Sequence, residues 1–391
     1  MSAPLDGVRV VEYAQYVAGP LCGLMLADLG ADVIKVEPPG GDGYRHVMPV
    51  APGVGRFFVP LNRGKRSVVL DLKTDEGLAG SRALVATADV VLHNFPPGRD
   101  EPFGLGWGRL RAEHPSLVLG VVTSFGGDGP LAGAPAYDLV AQARAGLLTA
   151  HASPGDDVPV RAGGIPMADL TAGFLLASSV LAGLVRARTT GEGSRVETSL
   201  LQAALAVQVQ DLVWLPGEEA GGARVARQAD LDARAAEIRL GLDTNPYYRC
   251  FRTADGYLAV ACLNTTQRRA LLGLFGLDDP TVEAPDLIPD DERVLDAKRQ
   301  VTAEIVRRIA LEPLEAWSAR LAAVGVPCGP VHARESVAGD GQVRANGLVR
   351  TLDHPGLGPT TTLARLLGPG ADGPAPALGA HTQSLLAEVG G

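Results

Sequence analysis

One carboxylate stands out by where it falls. Asp169 lies in Pro166-Met-Ala-Asp-Leu-Thr-Ala-Gly-Phe-Leu-Leu-Ala, the only acid beside a long uncharged stretch that reads as a helix, and it sits at that helix's N-terminus. Two readings share the same physics. As an N-cap, its side-chain oxygen would accept an otherwise orphaned N–H, and the helix dipole would favour its anion. As a positioned, ionised carboxylate it would be a competent nucleophile towards an activated acyl group. The local sequence by itself favours the cap. The apolar run from Leu170 to Val185 is about sixteen residues long and holds Thr171, Ser178 and Ser179. That is short of the roughly 18–20 residues of a membrane span, so a helix buried in a protein core is expected.

The second constellation is basic. Asn62-Arg-Gly-Lys-Arg-Ser is followed by Asp71-Leu-Lys-Thr, which puts Arg63, Lys65, Arg66 and Lys73 within a short stretch. Such a cluster reads either as a phosphate or nucleotide contact or as a solvated loop. The loop after the first strand, Tyr16-Val-Ala-Gly-Pro-Leu-Cys-Gly, has Gly19 and Gly23 but not the G-x-G-x-x-G of a dinucleotide site, although Glu37 stands where a ribose-binding acid would. A different nucleotide-bearing ligand suits it better. There is no G-x-S-x-G and no H-E-x-x-H. The seven His show no ligand spacing, and the four Cys, at 22, 250, 262 and 328, form no C-x-x-C pair. No metal site is expected, and the cysteines read as free, buried thiols of a reducing compartment.

These residues need a scaffold, and the flanking pattern describes one. Val8–Tyr13 and Asp32–Glu37 read as strands around a helix at Leu21–Leu29, closed by Gly30. Further strands are predicted at Ser67–Asp71, Asp89–His93 and Leu117–Thr123, with a helix at Asp75–Thr87. Alternation of this kind makes a doubly wound α/β domain with a parallel sheet. Residues 170–209 read as mostly helical with a break near Gly191–Ser194, and Pro216–Gly241 as an extended or helical connector between domains. Tyr248–Cys262 has strand character around an Asp255-Gly256 turn. Two helices are expected over 293–323, the second opened by Pro313, and loops with short strands after Gly325. With 391 residues the chain can bury a large core unaided. A net charge of −9 argues against general nucleic-acid binding. The N-terminus has no signal-peptide pattern, so a cytoplasmic protein with no membrane partner is expected.

Taken in order, several segments resemble the family III coenzyme A transferases, the group of formyl-CoA:oxalate and carnitine CoA-transferases, whose close relatives are the α-methylacyl-CoA racemases. They are Pro4-Leu-Asp-Gly-Val-Arg-Val-Val-Glu, Ala18-Gly-Pro, Ala27-Asp-Leu-Gly-Ala-Asp-Val-Ile-Lys-Val-Glu-Pro-Pro-Gly, Asn62-Arg-Gly-Lys-Arg-Ser, Asn94-Phe-Pro-Pro-Gly and Tyr137-Asp-Leu-Val-Ala-Gln-Ala. Met167-Ala-Asp-Leu-Thr-Ala-Gly, Gly193-Ser-Arg-Val-Glu-Thr-Ser, Gly325-Val-Pro-Cys-Gly-Pro-Val and His354-Pro-Gly-Leu-Gly complete the set.

The resemblance implies a Rossmann-like large domain whose first segment is residues 1–215, a connector at 216–241, a small α/β domain at 242–330, a return connector and the C-terminal segment of the large domain within 331–391, and two chains interlocked as a homodimer. It implies that Asp169 is the catalytic nucleophile, passing through an aspartyl mixed anhydride and an aspartyl-CoA thioester. CoA would contact Val17, Ala18, Leu72, Lys73, Asn94, Phe95 and Tyr137, with Arg63, Lys65, Arg66 and Arg99 as phosphate contacts. Acyl-CoA and a carboxylic acid would be the substrates, with no tightly bound cofactor. Val17 stands where the formyl-CoA enzymes carry Gln, and Pro102 where the family often has Arg. The racemases place a His where this chain has Tyr137, followed by Asp138. Tyrosine, with an ordinary pKa near ~10, is a poor proton shuttle, which favours transfer over 2-methylacyl-CoA racemisation. A CoA-binding protein without activity is the third alternative.

Overall fold

The computed structural model describes residues 2–150, 158–217, 224–286, 291–370 and 372–390. The chain divides into two compact units. One comprises Met1–Leu148, Val160–Gly222 and Gly341–Gly391, and the other Thr149–Pro159 and Ala223–Asp340.

The first unit is built on six parallel strands: β1 (Arg9–Glu12), β2 (Asp32–Glu37), β3 (Arg66–Val69), β4 (Val90–His93), β5 (Val118–Thr123) and β6 (Ser194–Ser199). Their order is β3-β2-β1-β4-β5-β6. This is the doubly wound nucleotide-binding order, which reverses direction between β1 and β4. Val10, Val11, Ile34, Val90, Val91, Val118 and Leu119 are fully buried. Strands covered on both faces need such unbroken apolar runs, which is why they were legible. Helices α1 (Ala18–Asp28) and α2 (Asp75–Val85) follow β1 and β3. Beyond β5 come α3 (Asp138–Arg144), α4 (Met167–Thr190) and, after β6, α5 (Leu200–Ala206).

The strand β6 corrects the helical reading of 170–209. Helix α4 stops at Gly191, whose φ of 74° is left-handed, and the chain then passes so close to the Leu117 carbonyl that a Cβ on Gly193 would lie 1.9 Å from its oxygen. The next segment, Ser-Arg-Val-Glu-Thr-Ser, pairs with β5 at the edge of the sheet. An edge strand needs no apolar run, and so its sequence signal is weak.

Helix α4 is long and apolar enough to cross a membrane by length and composition alone. In this fold Ala168, Ala172, Leu176, Val180 and Leu184, spaced one helical turn apart, are buried against α1 and the sheet. At Gly173 the two helices nearly touch: an added Cβ would meet Leu21 Cδ2 at 2.8 Å and the Ala18 carbonyl at 2.9 Å. The opposite face of the sheet is covered by α2 and a C-terminal helix.

The second unit holds α6 (Gln228–Thr244), β7 (Tyr248–Arg252), β8 (Tyr257–Ala261), α7 (Thr265–Phe275), α8 (Glu292–Ile309), α9 (Leu314–Ala323) and β9 (Cys328–Pro330). Its antiparallel sheet runs β9-β8-β7, over a core of Tyr247, Phe251, Leu258, Leu271, Ile305 and Trp317. Pro313 stands at the N-cap position of α9 without a side-chain capping bond. Helix α6 takes up the helical alternative for much of the stretch 216–241. Asp230 accepts the Arg227 N–H at 2.8 Å to start the helix, and Leu231 and Ala235, one turn apart, bury it. The chain returns to the first unit as the hairpin β10 (Val349–His354) and β11 (Gly358–Leu363), then α10 (Thr382–Gly390), whose Leu385 is buried. The four cysteines are unpaired, but only Cys22 and Cys262 are buried, whereas Cys250 is exposed.

Candidate active site

Asp169 is not a cap. It lies in the first turn of α4, after Pro166 at the N-cap position, and accepts no capping hydrogen bond. That task falls to Asp138, at the head of α3. Its Oδ1 accepts the N–H of Ala168 at 2.9 Å and of Asp169 at 3.3 Å. Its Oδ2 accepts from Gln142 Nε2 at 2.7 Å and Arg161 Nη1 at 3.1 Å. A second carboxylate therefore satisfies the helix end, and the half-buried Asp169 carboxylate has no hydrogen-bond partner among the described residues. Burial first, and then the charge of Asp138, push the Asp169 carboxyl up to about 7, with Arg161 pulling the other way. A carboxylate of raised basicity, with free lone pairs, at a helix N-terminus is chemically a nucleophile or a base.

The loops around it leave the carboxyl ends of the strands. Gln15, after β1, and Asn94, after β4, bond reciprocally: the Gln15 N–H to Asn94 Oδ1 at 3.1 Å, and Asn94 Nδ2 to the Gln15 carbonyl at 3.0 Å. They tie the two loops that flank the point where strand order reverses, the usual ligand crevice of such sheets. Val17 and Ala18 open α1 with buried side chains, so their backbone is what this loop can offer a ligand. Phe95 packs between His93 and Phe103, with centroids at 5.3 Å from each. Leu72 and Lys73 lie in the turn between β3 and α2. Leu72 is half-buried and Lys73 exposed, its N–H bonded to Asp71 Oδ1 at 3.0 Å.

Tyr16 has a left-handed φ of 68°, which costs a non-glycine residue energy and persists only where the surroundings enforce it. Asp42 enforces it. Its Oδ1 accepts from the N–H of Tyr16 at 3.2 Å and of Tyr44 at 2.9 Å, and its Oδ2 is ion-paired with Lys35 Nζ at 2.8 Å. The Tyr16 ring then stands edge-on to Tyr44 and Tyr137, at 5.4 Å and 5.7 Å. Burial, and next the charge of Asp169, raise the Tyr44 phenol, so it stays a proton donor. Tyr16, Tyr44, Asp42, Asp138 and Arg161 were not singled out as site residues from the sequence. Asp138 had a signal, being the residue after Tyr137 in a family motif, while the others are joined only by tertiary contact.

The basic cluster is a different matter. Arg63 and Lys65 are buried and committed. Arg63 forks onto Asp28 and donates to the Ala364 carbonyl at 2.9 Å. Lys65 Nζ meets both oxygens of Glu12, the Pro20 carbonyl and Asn62 Oδ1, all at 2.8–3.0 Å. Arg66 bonds Asp32 on the neighbouring strand and Glu388 of α10. The expectation that these three meet phosphates is therefore corrected: each balances a carboxylate, because an unpaired buried charge is costly. Arg99 is exposed, with no side-chain partner among the described residues, and stays available. No three His, Cys, Asp or Glu side chains gather as a metal set among the described residues.

Residues 5–382 match the model of CoA-transferase family III. The chain is 36% identical to a succinate–glutarate CoA-transferase of Agrobacterium fabrum, covering 99% of this chain and 96% of that one. It is 31% identical to the succinyl-CoA:glutarate CoA-transferase of Mus musculus, over 99% and 86%. The crystal structure of a CAIB/BAIF family protein from Brucella suis matches with a TM-score of 0.78 at 29% identity over all of both chains. With the parallel sheet and the ordered motifs, these matches establish that the chain belongs to CoA-transferase family III and is an enzyme that transfers coenzyme A between an acyl-CoA and a carboxylic acid.

Proposed function

We propose that the transfer runs through Asp169 as a covalent relay. The observation that carries this reading is the half-buried Asp169 carboxylate left without a hydrogen-bond partner among the described residues, because Asp138 has taken over the helix end. Its oxygen attacks the thioester carbonyl of the donor, the C–S bond breaks, and a mixed anhydride and CoA thiolate form. The thiolate attacks the aspartyl carbonyl, releasing the first acid as its carboxylate and leaving aspartyl-CoA. The acceptor carboxylate attacks that thioester and expels the thiolate, giving a second anhydride. The thiolate then takes the acceptor's acyl group and frees Asp169. Each step consumes one anion and releases one, so the sequence balances without a metal, a nucleotide triphosphate or a proton donor.

The crevice between the β1 and β4 loops suits the CoA moiety, with backbone at Val17 and Ala18, Asn94 and Phe95 beneath, Tyr137 beside, and Lys73 and Arg99 as the exposed cations of the set. Relatives named for succinate, glutarate and mesaconate make dicarboxylic acids the first acids to test. An interlocked homodimer is the assembly we infer. Supporting it, the segment leaving α5 exposes a run of large apolar side chains, Val209 (78% exposed), Val213 and Trp214, which a second chain would cover.

The deciding experiment is mass spectrometry of the protein after incubation with an acyl-CoA and hydroxylamine or borohydride. A mass change confined to Asp169, and loss of transfer by Asp169→Ala to below about one-thousandth of wild type, is the expected result. Undiminished transfer by Asp169→Ala would end the mechanism. Rapid exchange of an α-proton on a 2-methylacyl-CoA without any acceptor acid would favour the racemase.

A further inference from the structure

Arg161 has no assigned task in the relay, yet it is one carboxylate away from the nucleophile. It stands at the start of the turn Ala162–Gly164, before α4. Its Nη1 donates to Asp138 Oδ2 at 3.1 Å, while the other oxygen of the same carboxylate accepts the N–H of Asp169. Its Nη2 and Nε have no partner among the described residues, and its side chain is 35% exposed, so part of the guanidinium faces open space. In the turn itself, Gly163 and Gly164 have left-handed φ of 57° and 68°, and an added Cβ on Gly164 would touch nothing among the described residues. Among those residues the turn leaves room beside the fork. A planar guanidinium with free N–H groups is the side chain best matched to a carboxylate.

Resting on the Asp169 relay, we propose that Arg161 is a specificity-determining residue, docking the second carboxylate of a dicarboxylic substrate next to Asp169. The charge balance gives it an order. In the resting enzyme Arg161 is paired with Asp138, the charge of Asp169 lies close to that pair, and a third anion is unwelcome. When Asp169 is held as its CoA thioester its charge is gone, and Arg161 answers to Asp138 alone. The cation is released for an incoming acid at the step at which the acceptor must bind. Tyr44, which feels the charges of both Asp169 and Arg161, is a neutral donor on the same side.

The test compares dicarboxylates with monocarboxylates of equal chain length, succinate with butyrate and glutarate with pentanoate, as acceptors from one acyl-CoA donor. It is run at about pH 8.5, above the range in which Asp169 titrates. Wild type is expected to favour the dicarboxylate. Arg161→Met should lower kcat/KM for dicarboxylates by about 10- to 100-fold more than for the matched monocarboxylates, the range of a charge-assisted hydrogen bond, over and above any common loss from disturbing Asp138 and Asp169. Arg161→Lys should recover part of the loss. Equal losses for both acid classes would overturn the proposal and leave Arg161 as a support for Asp138. Absence of discrimination by wild type would overturn it without any variant, so a misfolded Arg161→Met does not protect it. Failure of the relay itself is read separately, as undiminished transfer by Asp169→Ala.

Discussion

Two carboxylates, Asp138 and Asp169, stand at one helix end, and their neighbours give them different work. Asp138 accepts four hydrogen bonds, whereas Asp169 accepts none among the described residues and is raised to about 7 by burial and by Asp138. The nucleophile is the ionised form, so the sign is fixed. kcat/KM for the acyl-CoA should rise with pH, about tenfold per unit below 7, and level off above it. Removing the like charge with Asp138→Asn lowers the Asp169 pKa and moves that limb towards acid, although burial, the larger cause, keeps it above an ordinary aspartate. A pH–rate profile on one acyl-CoA measures this, and a limb that stays in place in the variant would contradict it. The same pair limits what can be read from residues alone. Asp169 stood out in the sequence because it heads an uncharged helix, but the expectation that it caps the helix was wrong, since the cap comes from a residue on α3.

At the scale of elements, the helix pair α1 and α4 sets the site. Helix α1 begins at the Val17–Ala18 loop, α4 begins beside Asp169, and the pair meets at Gly173, where a side chain has no room. A larger residue there must push the helices apart and carry Asp169 away from the β1 loop. Gly173→Val is expected to cost about 1–3 kcal/mol, read from the urea midpoint, and to lower kcat more than that loss of folded protein explains. Stability and kcat both unchanged would mean the contact is not needed. The ionic cluster under the first loop acts alongside this packing. Lys35 is buried between Glu12 and Asp42, whose carboxylates, with Glu37, outweigh burial and hold its ammonium above the ordinary lysine value. Its Nζ also bonds the Ala14 carbonyl at 2.8 Å, so the cluster anchors the backbone that carries Tyr16 in its left-handed conformation. Buried charges of this kind add little net stability but define one geometry, since a broken pair leaves an uncompensated charge.

At the scale of the whole molecule, an interlocked dimer would elute at twice the chain mass by light scattering and keep that mass on dilution through the nanomolar range, because unlinking requires unfolding. A monomer that persists at high concentration would exclude it. Interlocking would also place a partner over the apolar segment after α5, so Trp214 fluorescence should report burial in the native dimer and exposure only on denaturation.

The α/β class and most strands of the parallel sheet were legible in the sequence, because strands buried on both faces must be apolar along their length and alternate with helical segments. Asp169 was legible as a residue of interest for the same reason, as the only acid beside an uncharged helix. The edge strand β6 was not, and helix α6 was left open between extended and helical, since half-exposed elements carry mixed residues that fit more than one pattern. The fates of Arg63, Lys65 and Arg66 were not either. A run of basic residues looks alike whether it meets phosphate or carboxylate, and the answer lay in Asp28, Glu12, Asp32 and Glu388, which only tertiary folding brings beside them. The sequence alone thus determined the α/β class, most strands of the parallel sheet and which acid heads α4. The tertiary structure decided which charges are spent in the core and which, at Asp169 and Arg161, remain for chemistry, because electrostatic partnership depends on distance through space.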